Sequence, residues 1–545
     1  MKNKIQRILK STFFQVLVVY AIIVVMISVN LFWKFTLHME IFALVLGGIG
    51  IAFVLGIKDE KKEKKKEKKT FLNFLKKNWI LILALLLVIG FRFVPYFNNT
   101  TPIGYDPGIY KYAIEKSFDG QQDDWMKSSI TPGFSYITSF LRMLGFSSNA
   151  ILIPIFIIFN ALICFAIYLF TKEHFGKKAG LLASLIFAVS TVQFKVFTFL
   201  YYKNIIALSM LLFSLYFLKK KKMIWFAVFA IVCGIVHRAT FFIFAVSFLL
   251  YAVISPIKRD VFTRKIKYDS KKLLKYLIYG VIIIGITLLF YLPTFNESIL
   301  PLIKPVASSV VESDPTTAGT FLDSFTYHYA TLAYLPLALL GFFFLIKKKK
   351  FNMLFFLAIV TAIIVYFKLY FFNRFIIHLD IALIALAAGG FALALKERKW
   401  LTTILIILLV FSSGFVMFNE AKDTKPLINE NDLTAIKSLQ ETEQNAYAMS
   451  THSYYSPWVL GYSGRRTLAP GLFDDDKWNF EMWQAFWLSP QWEDVQKLLE
   501  MYDGPVYIFI GENHPDYISR FDNDCFEIYY EKEGQARPRV YKYLC

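Results

Sequence analysis

The first candidate for chemistry is Asp106, which lies between Tyr105 and Pro107 in the segment TTPIGYDPGIY. The segment follows directly on NWILILALLLVIGFRFVPY, an apolar run long enough to cross a bilayer, so the carboxylate lies where the chain leaves the membrane. A carboxylate held there could accept a proton from a hydroxyl group or coordinate a divalent cation. A purely structural role is also open, because Asp before Pro-Gly can cap a helix that begins at Pro107.

Basic and hydrogen-bonding side chains recur at the ends of other apolar runs. They are Lys203 with its neighbours Tyr201 and Tyr202, the adjacent pair His237 and Arg238, and Arg374. Charged side chains are costly at membrane depth, about 2.5–3.5 kcal/mol each on insertion scales, so those that persist are candidates for function. Coming from separate hairpins, they could hold one anion at the membrane surface, and a lipid-borne phosphate is the expected one. Each Lys or Arg could instead extend to lipid head groups.

The segment GIYKYAIEKSF after Asp106 is amphipathic, and we predict that it lies along the membrane surface and holds the carboxylate at the mouth of a cavity. Tyr105 and Tyr110 are then candidates to line that cavity. The adjacent pair Asp123 and Asp124 could assist Asp106 in binding a divalent metal, although such a pair is more often a solvated loop. No other cofactor is indicated.

The composition places these residues in a polytopic α-helical membrane protein. The chain of 545 residues is 56% hydrophobic, with a mean hydropathy of +0.48, and its apolar residues form continuous runs separated by short charged loops. The net charge of +20 does not indicate a nucleic-acid partner, because the basic residues cluster in loops between apolar runs. Membrane lipids are the expected surroundings.

About thirteen membrane spans are predicted. They are 11–33, 41–57, 77–96, 149–171, 179–198, 204–218, 223–236, 239–255, 274–293, 327–346, 351–367, 375–395 and 401–418. Six basic loops then fall on one side, which we take as cytoplasmic. This orientation predicts a plasma-membrane protein with a cytoplasmic N-terminus and with the loop 97–148, Asp106 included, outside.

Four regions follow from these spans. Residues 1–57 hold two helices, 58–76 form a lysine-rich cytoplasmic linker, 77–418 form the main membrane part, and 419–545 form an external domain. The external domain alternates helix-like and strand-like segments, which predicts an α/β fold. Cys525 and Cys545 lie on two strand-like runs within it, where they could form a disulfide or remain two free thiols.

At this point the chain resembles the GT-C superfamily of membrane glycosyltransferases, of the protein mannosyltransferase and aminoarabinose transferase type. The resemblance rests on GYDPGIYKYA in the first external loop, then SSITPGFSY, YYKNIIALSMLLFSLY, GIVHRATFFIFAVSFLLY and FFNRFIIHLDIALIALAAG, and it covers roughly residues 77–418. The tail contains no WWDYG-type motif, which argues against an oligosaccharyltransferase.

The resemblance implies transfer of a sugar from a polyprenyl-phosphate donor to a glycan, lipid or protein acceptor on the outer face of the membrane. Asp106 matches the position of the catalytic carboxylate and would act as general base. Arg374, and more loosely Arg238, Lys203 and His237, would hold the donor phosphate. The tyrosines at 105, 110, 201 and 202 would line the cavity or contact the acceptor. A transporter, a flippase or a non-catalytic binder of lipid-linked sugars would use the same outer cavity and remains the alternative.

Overall fold

The structure, a computed structural model, describes residues 71–259, 266–298, 324–369, 372–469, 477–489, 491–512, 518–532 and 538–545. The predicted N-terminal spans 11–33 and 41–57, and the lysine-rich run that follows them, lie outside the described residues. So does most of the connection between the spans 274–293 and 327–346.

The membrane part is helical wherever an apolar run was predicted in the described residues. Its helices are α1 (Phe71–Phe93), α2 (Pro107–Phe118), α3 (Asp124–Ser129), α4 (Pro132–Met143), α5 (Ser148–Phe175, its first turns irregular), α6 (Lys177–Ala188), α7 (Thr191–Thr198), α8 (Tyr202–Lys219), α9 (Met223–Val236), α10 (Arg238–Ile254), α11 (Ser270–Tyr291), α12 (Ser324–Leu332), α13 (Leu335–Lys347), α14 (Met353–Tyr366), α15 (Ile376–Glu397) and α16 (Lys399–Asp423).

Among these, six stretches built on α1, α5, α8, α11, α15 and α16 are long and apolar enough to cross a membrane. A seventh crossing forms if α6 and α7, which meet at an angle of 49°, are one broken span. The apolar helices α9, α10, α13 and α14 are shorter, at 10–17 residues. The predicted count of thirteen is therefore supported in part, because several apolar runs fold into short or broken helices, as occurs where a helix bundle encloses polar groups.

Helix α15 is the centre of the bundle, since 89% of its apolar stretch is buried, whereas α11 and α16 are mostly exposed on the outside. Small residues permit this central packing. A Cβ atom on Gly341 of α13 would lie 2.1 Å from the carbonyl oxygen of Leu386, and one on Gly390 of α15 would lie 2.1 Å from that of Leu337. The two backbones therefore touch, as small residues allow in membrane helices.

The C-terminal region forms an α/β unit around a five-stranded sheet. Two further short strands, β1 (Ile257–Arg259) and β2 (Ile266–Tyr268), pair in the membrane part. The sheet comprises β3 (Tyr447–Ser450), β4 (Arg466–Leu468), β5 (Val506–Ile510), β6 (Phe526–Glu531) and β7 (Arg539–Tyr543), and its helices are α17 (Glu430–Ser438), α18 (Ser456–Tyr462), α19 (Phe480–Leu488) and α20 (Trp492–Leu499).

Strand β3 pairs in parallel with β4 and β5, whereas β7 pairs antiparallel with β5 and β6. Every residue of β3 and β5 is buried, because an apolar cluster covers each face of the sheet. The two cysteines left open by the sequence, Cys525 and Cys545, are joined in a disulfide across the β6–β7 hairpin.

Candidate active site

Asp106 occupies the position that precedes helix α2, with Pro107 as the first helical residue. Its carboxylate accepts no hydrogen bond from the first turn of that helix, so Asp106 does not act as the cap that Asp-Pro-Gly allows. The side chain is half-buried. A carboxylate that is desolvated without serving its own helix is available for other chemistry.

Two glycines on either side of Asp106 allow other segments of the backbone to approach it closely. Gly104 has a φ of +101°, and a Cβ on it would lie 2.9 Å from the Thr198 carbonyl oxygen and from Cβ of Leu200. On the other side, a Cβ on Gly108 would lie 1.7 Å from the carbonyl oxygen of Pro457 in the C-terminal domain. Asp106 is therefore held between the end of α7 and helix α18 by direct backbone contacts on both sides.

The predicted basic side chains converge on this carboxylate from three parts of the fold. Asp106 interacts electrostatically with Lys203 of α8 and with Arg374, just before α15. Lys203 in turn lies within electrostatic range of Arg238, the first residue of α10. Burial raises the pKa of Asp106 from 3.8 to about 6, and the two nearby cations limit that rise. The environment of this carboxyl group therefore brings its pKa closer to neutrality.

The turn that carries Lys203 is bonded to the loop that carries Asp106. Leu200 adopts a φ of 55°, which is uncommon for a non-glycine residue, and helix α8 begins two residues later. The Lys203 ammonium donates to the carbonyl of Ser129 at 2.9 Å, and the Tyr110 hydroxyl of α2 hydrogen-bonds the Lys203 backbone. The distance between the carboxylate and the cation is therefore set by protein contacts on both elements.

The tight connection between α9 and α10 is fixed in the same way. The Thr131 hydroxyl donates to the carbonyl of Val236 at 2.6 Å, and a Cβ on Gly133 would lie 2.7 Å from the Ile235 backbone. The start of α4, TPG at 131–133, therefore packs directly against Ile235 and Val236, which precede His237 and Arg238. This contact gives the motif SSITPGFSY a structural role, because it fixes the backbone that carries the two basic residues.

His237 is held by hydrogen bonds rather than by a charge partner. Its Nδ1 accepts the backbone N–H of Thr240 at 3.2 Å, so a neutral His237 ring carries its proton on Nε2. The Thr240 hydroxyl lies 2.8 Å from His237 Nδ1 and 2.9 Å from Nε2 of the buried His378. His237 is thereby oriented by a chain of hydrogen bonds that reaches helix α15.

Of the four predicted cavity tyrosines, Tyr110 is buried and hydrogen-bonds the Lys203 backbone, and the other three lie in different environments. Tyr201 is half-buried and interacts with both Arg374 and Asp106, so it borders the site. Tyr105 donates its hydroxyl to the Ser453 carbonyl at 2.7 Å, in the C-terminal domain. Tyr202 is fully buried, donates to the Ile151 carbonyl and stacks on Phe156, so its side chain packs the core rather than lining an open cavity.

The two carboxylates considered for metal binding are engaged elsewhere. Asp123 caps α3 by accepting the Met126 backbone N–H at 2.7 Å, and it also accepts the Tyr112 hydroxyl at 2.7 Å. Asp124 pairs with Lys127 on the surface. Within the described ranges no group of three or more His, Cys, Asp or Glu side chains is arranged to hold a metal ion.

The structure also reveals charged residues that the sequence reasoning missed. Asp380 of α15 is fully buried and accepts hydrogen bonds from Gln193 Nε2 at 2.7 Å, from Ser190 Oγ at 3.1 Å and from the Tyr334 hydroxyl. Ser190 lies at the break between α6 and α7, so the network fixes that break against α13 and α15. An Asp within the apolar run IIHLDIALIALAAG was the available signal.

Arg92 extends the same network toward α1 and α5. It is fully buried, its Nε donates to Asn160 Oδ1 at 3.1 Å, and one terminal nitrogen reaches the Gln193 carbonyl at 3.5 Å. Its guanidinium also lies over the rings of Phe187 and Phe197. Gln193 therefore bridges a buried cation to the buried carboxylate of Asp380, and this network links α1, α5 and α7 to α15.

Comparison with known proteins shows which solved structures this fold is similar to. The sequence profile of the dolichyl-phosphate-mannose-protein mannosyltransferase family matches residues 129–284. The archaeal oligosaccharyltransferase AglB from Archaeoglobus fulgidus, solved with an inhibitory peptide and a dolichol-phosphate, superposes with a TM-score of 0.56 and 14% identity over 80% of this chain and 70% of its own. ArnT from Cupriavidus metallidurans, bound to undecaprenyl phosphate, superposes with a TM-score of 0.55 and 11% identity over 87% of this chain and 98% of its own. No curated protein sequence matches this chain.

Both of these solved proteins are GT-C glycosyltransferases. At 11–14% identity the similarity establishes the fold, so this chain is a membrane protein with the GT-C fold, and the resemblance that the sequence motifs indicated is confirmed. The match to ArnT also extends over most of the chain.

Proposed function

We propose that this protein is a glycosyltransferase that moves a sugar from a polyprenyl-phosphate donor to an acceptor on the outer face of the plasma membrane. The observation that carries the proposal is the convergence of one desolvated carboxylate, Asp106, with Lys203 and Arg374. The N-terminus would be cytoplasmic, and the α/β domain would lie outside, above the site.

Asp106 has the properties of a general base in this reaction. With a pKa near 6 it is mostly ionised at neutral pH, yet basic enough to accept a proton as an acceptor hydroxyl attacks. The acceptor oxygen bonds to the anomeric carbon, the bond from that carbon to the phosphate oxygen breaks, and its electron pair leaves with the polyprenyl phosphate. The acceptor proton moves to the Asp106 carboxylate, so the step is balanced without another reactant.

The cations would stabilise the leaving phosphate. Negative charge develops on the departing phosphate, and preorganised cations stabilise such charge strongly in a site shielded from water. Arg374, just before α15, is exposed and Lys203 is half-buried, and both interact electrostatically with the Asp106 carboxylate. Arg238 and the oriented ring of His237 would complete the phosphate contacts.

The test is the Asp106→Asn variant, compared with Asp119→Asn, a matched change at an exposed position of the same loop. Purified proteins are incubated with a panel of radiolabelled polyprenyl-phosphate sugars and candidate acceptors, and both transfer and donor binding are measured. We expect Asp106→Asn to lose transfer by at least about 100-fold while it retains donor binding, and Asp119→Asn to match the parent.

A carrier or a non-catalytic binder of lipid-linked sugars would behave differently. Such a protein would release no polyprenyl phosphate from any donor, and its binding or movement of the lipid would be insensitive to Asp106→Asn. Transfer by Asp106→Asn at the parental rate would refute the assignment of the base.

A further inference from the structure

We infer that the C-terminal domain is a positioning element of the active site, which holds Asp106 in place through a glycine-to-glycine contact between α18 and α2. The catalytic part of this inference rests on the proposed function of Asp106. The docking itself is independent of that function, because it is read from the contacts between the two helices.

The central contact joins backbone to backbone. A Cβ on Gly461 of α18 would lie 2.3 Å from the carbonyl oxygen of Gly108, and a Cβ on Gly108 would lie 1.7 Å from the carbonyl oxygen of Pro457 and 2.9 Å from Cα of Trp458. Neither helix can relieve such a clash by a side-chain rotation, since the atoms in the way are main-chain atoms. Any side chain at either glycine must push the two helices apart.

Polar contacts on both sides of the glycines fix the register of this crossing. The Lys111 ammonium of α2 donates to the Gly461 carbonyl at 2.9 Å and pairs with Glu115 at 2.8 Å, while it lies 4.9 Å from the centre of the Tyr462 ring. On the other side, Tyr105 donates to the Ser453 carbonyl at 2.7 Å. Tyr105, immediately before Asp106, and Lys111, five residues after it, are therefore both bound to the C-terminal domain.

An apolar contact seals the same interface. Leu460 and Ala469 of the C-terminal domain are buried against Ile109 and Tyr112 of α2 and against Trp125 of α3. Glu115 continues the connection by accepting the Ser148 hydroxyl at 3.0 Å, at the start of α5. Helix α2 is thus clamped between the membrane bundle and the C-terminal domain. The sequence prediction placed α2 along the membrane surface and did not include a domain packed on it. The structure shows that the C-terminal domain covers α2.

The size of the expected effect follows from the contact distances. A Cβ on Gly108 must move from 1.7 Å to at least 3.0 Å from the Pro457 oxygen, which separates the helices by about 1.3 Å. Asp106 lies two residues away, and a misplacement of about 1 Å at a reacting group lowers rates on the order of 100-fold. In the proposed function the donor phosphate is held by cations on α8, α10 and the α15 region, which are not part of the α18–α2 contact, so donor binding should change less than kcat.

The experiment uses the full-length protein with Gly108→Ala and Gly461→Ala, and with Gly285→Ala as the matched control. A Cβ at Gly285 on α11 would meet nothing within 4 Å. For each variant we measure kcat and KM for the lipid-linked donor, and we follow hydrogen exchange of the amides of α2. We expect the two interface variants to lose kcat by about 100-fold with a donor KM within about twofold of the parent, and α2 to exchange faster.

Lys111→Met provides a milder perturbation if either glycine variant fails to fold. It removes the hydrogen bond to the Gly461 carbonyl and should give a smaller loss of kcat together with faster exchange in α2. The inference is overturned if α2 exchanges at the parental rate in the interface variants, or if α2 exchanges faster while kcat is unchanged. Should the parent protein transfer no sugar, the proposed function fails separately, and the exchange measurement alone still decides whether α18 holds α2.

Discussion

Replacing Asp106 by Asn should abolish transfer and at the same time make the protein more stable. Asn has nearly the shape of the neutral carboxyl group, but it cannot ionise. The folded protein raises the pKa of Asp106 from 3.8 to about 6 because the side chain is desolvated. At 1.36 kcal/mol per pKa unit, holding this carboxylate ionised costs the folded state up to about 3 kcal/mol.

The pH dependence gives the sign of the effect. Below pH 3.8 the carboxyl is protonated in both the folded and the unfolded chain, so Asp and Asn should be equally stable. Between pH 3.8 and about 6 the unfolded chain loses its proton first, so the free energy of unfolding of the parent falls as the pH rises. Above pH 6 the full difference persists, and Asp106→Asn should be the more stable protein by up to about 3 kcal/mol.

Thermal unfolding of the purified proteins, followed by tryptophan fluorescence at several pH values from 4 to 8, measures this difference. Asp123→Ala is the contrasting control, because Asp123 caps α3 and accepts the Tyr112 hydroxyl, so its loss should destabilise by about 1 kcal/mol at neutral pH. Asp119→Asn, at an exposed position, should stay within about 0.5 kcal/mol of the parent. If Asp106→Asn were less stable than the parent at pH 7.5, or if the difference did not vary with pH, desolvation would not be what raises the pKa of Asp106.

Three further changes test other parts of the structure. Lys203→Met removes a cation that limits the rise in the pKa of Asp106, so the acidic limb of the pH profile of kcat/KM should move to higher pH by about one unit. If the limb did not move, Lys203 would not influence the pKa of Asp106. Asp380→Asn places an amide where three donors meet a carboxylate, so it should lower the free energy of unfolding by about 1–3 kcal/mol in thermal unfolding; an unchanged unfolding temperature would contradict the network. Reducing the bond between Cys525 and Cys545, which are 20 residues apart, should destabilise the C-terminal domain by about 3 kcal/mol in calorimetry, and the double Ser variant should show the same loss without reductant.

The sequence allowed the membrane helices, and the polar residues that lie together at the candidate site, to be predicted because both carry local signals. Apolar runs must become helices in a bilayer, where backbone groups can bond only to one another, and all the described runs did. The convergence of Asp106, Lys203 and Arg374 could be anticipated from the rarity of charges at span ends. The α/β character of the C-terminal region followed from its alternating segments, and the sheet confirms that part of the prediction.

The rest depended on contacts between distant segments. Gly104 and Gly108 could be read only as turn residues, since the partners that require them, Leu200 and Pro457, lie about 100 and 350 positions away in the chain. Tyr202 looked like a site residue because it adjoins Lys203, but one step along a helix turns a side chain by about 100°, and its ring enters the core.

The buried network of Arg92, Gln193 and Asp380 was missed for a related reason. The three residues lie on separate apolar segments, and only the folded bundle brings α1, α7 and α15 together. A charged residue inside an apolar segment indicates a buried polar partner, and Asp380 could have been recognised on this ground from the sequence.

The arrangement proposed for the site can be observed in an experimental structure of the protein with polyprenyl phosphate bound. The phosphate should contact Lys203 and Arg374, with the Asp106 carboxylate on the opposite side of the space left for the sugar. A phosphate bound beyond hydrogen-bonding distance of both cations, with Asp106 facing protein rather than that space, would contradict it.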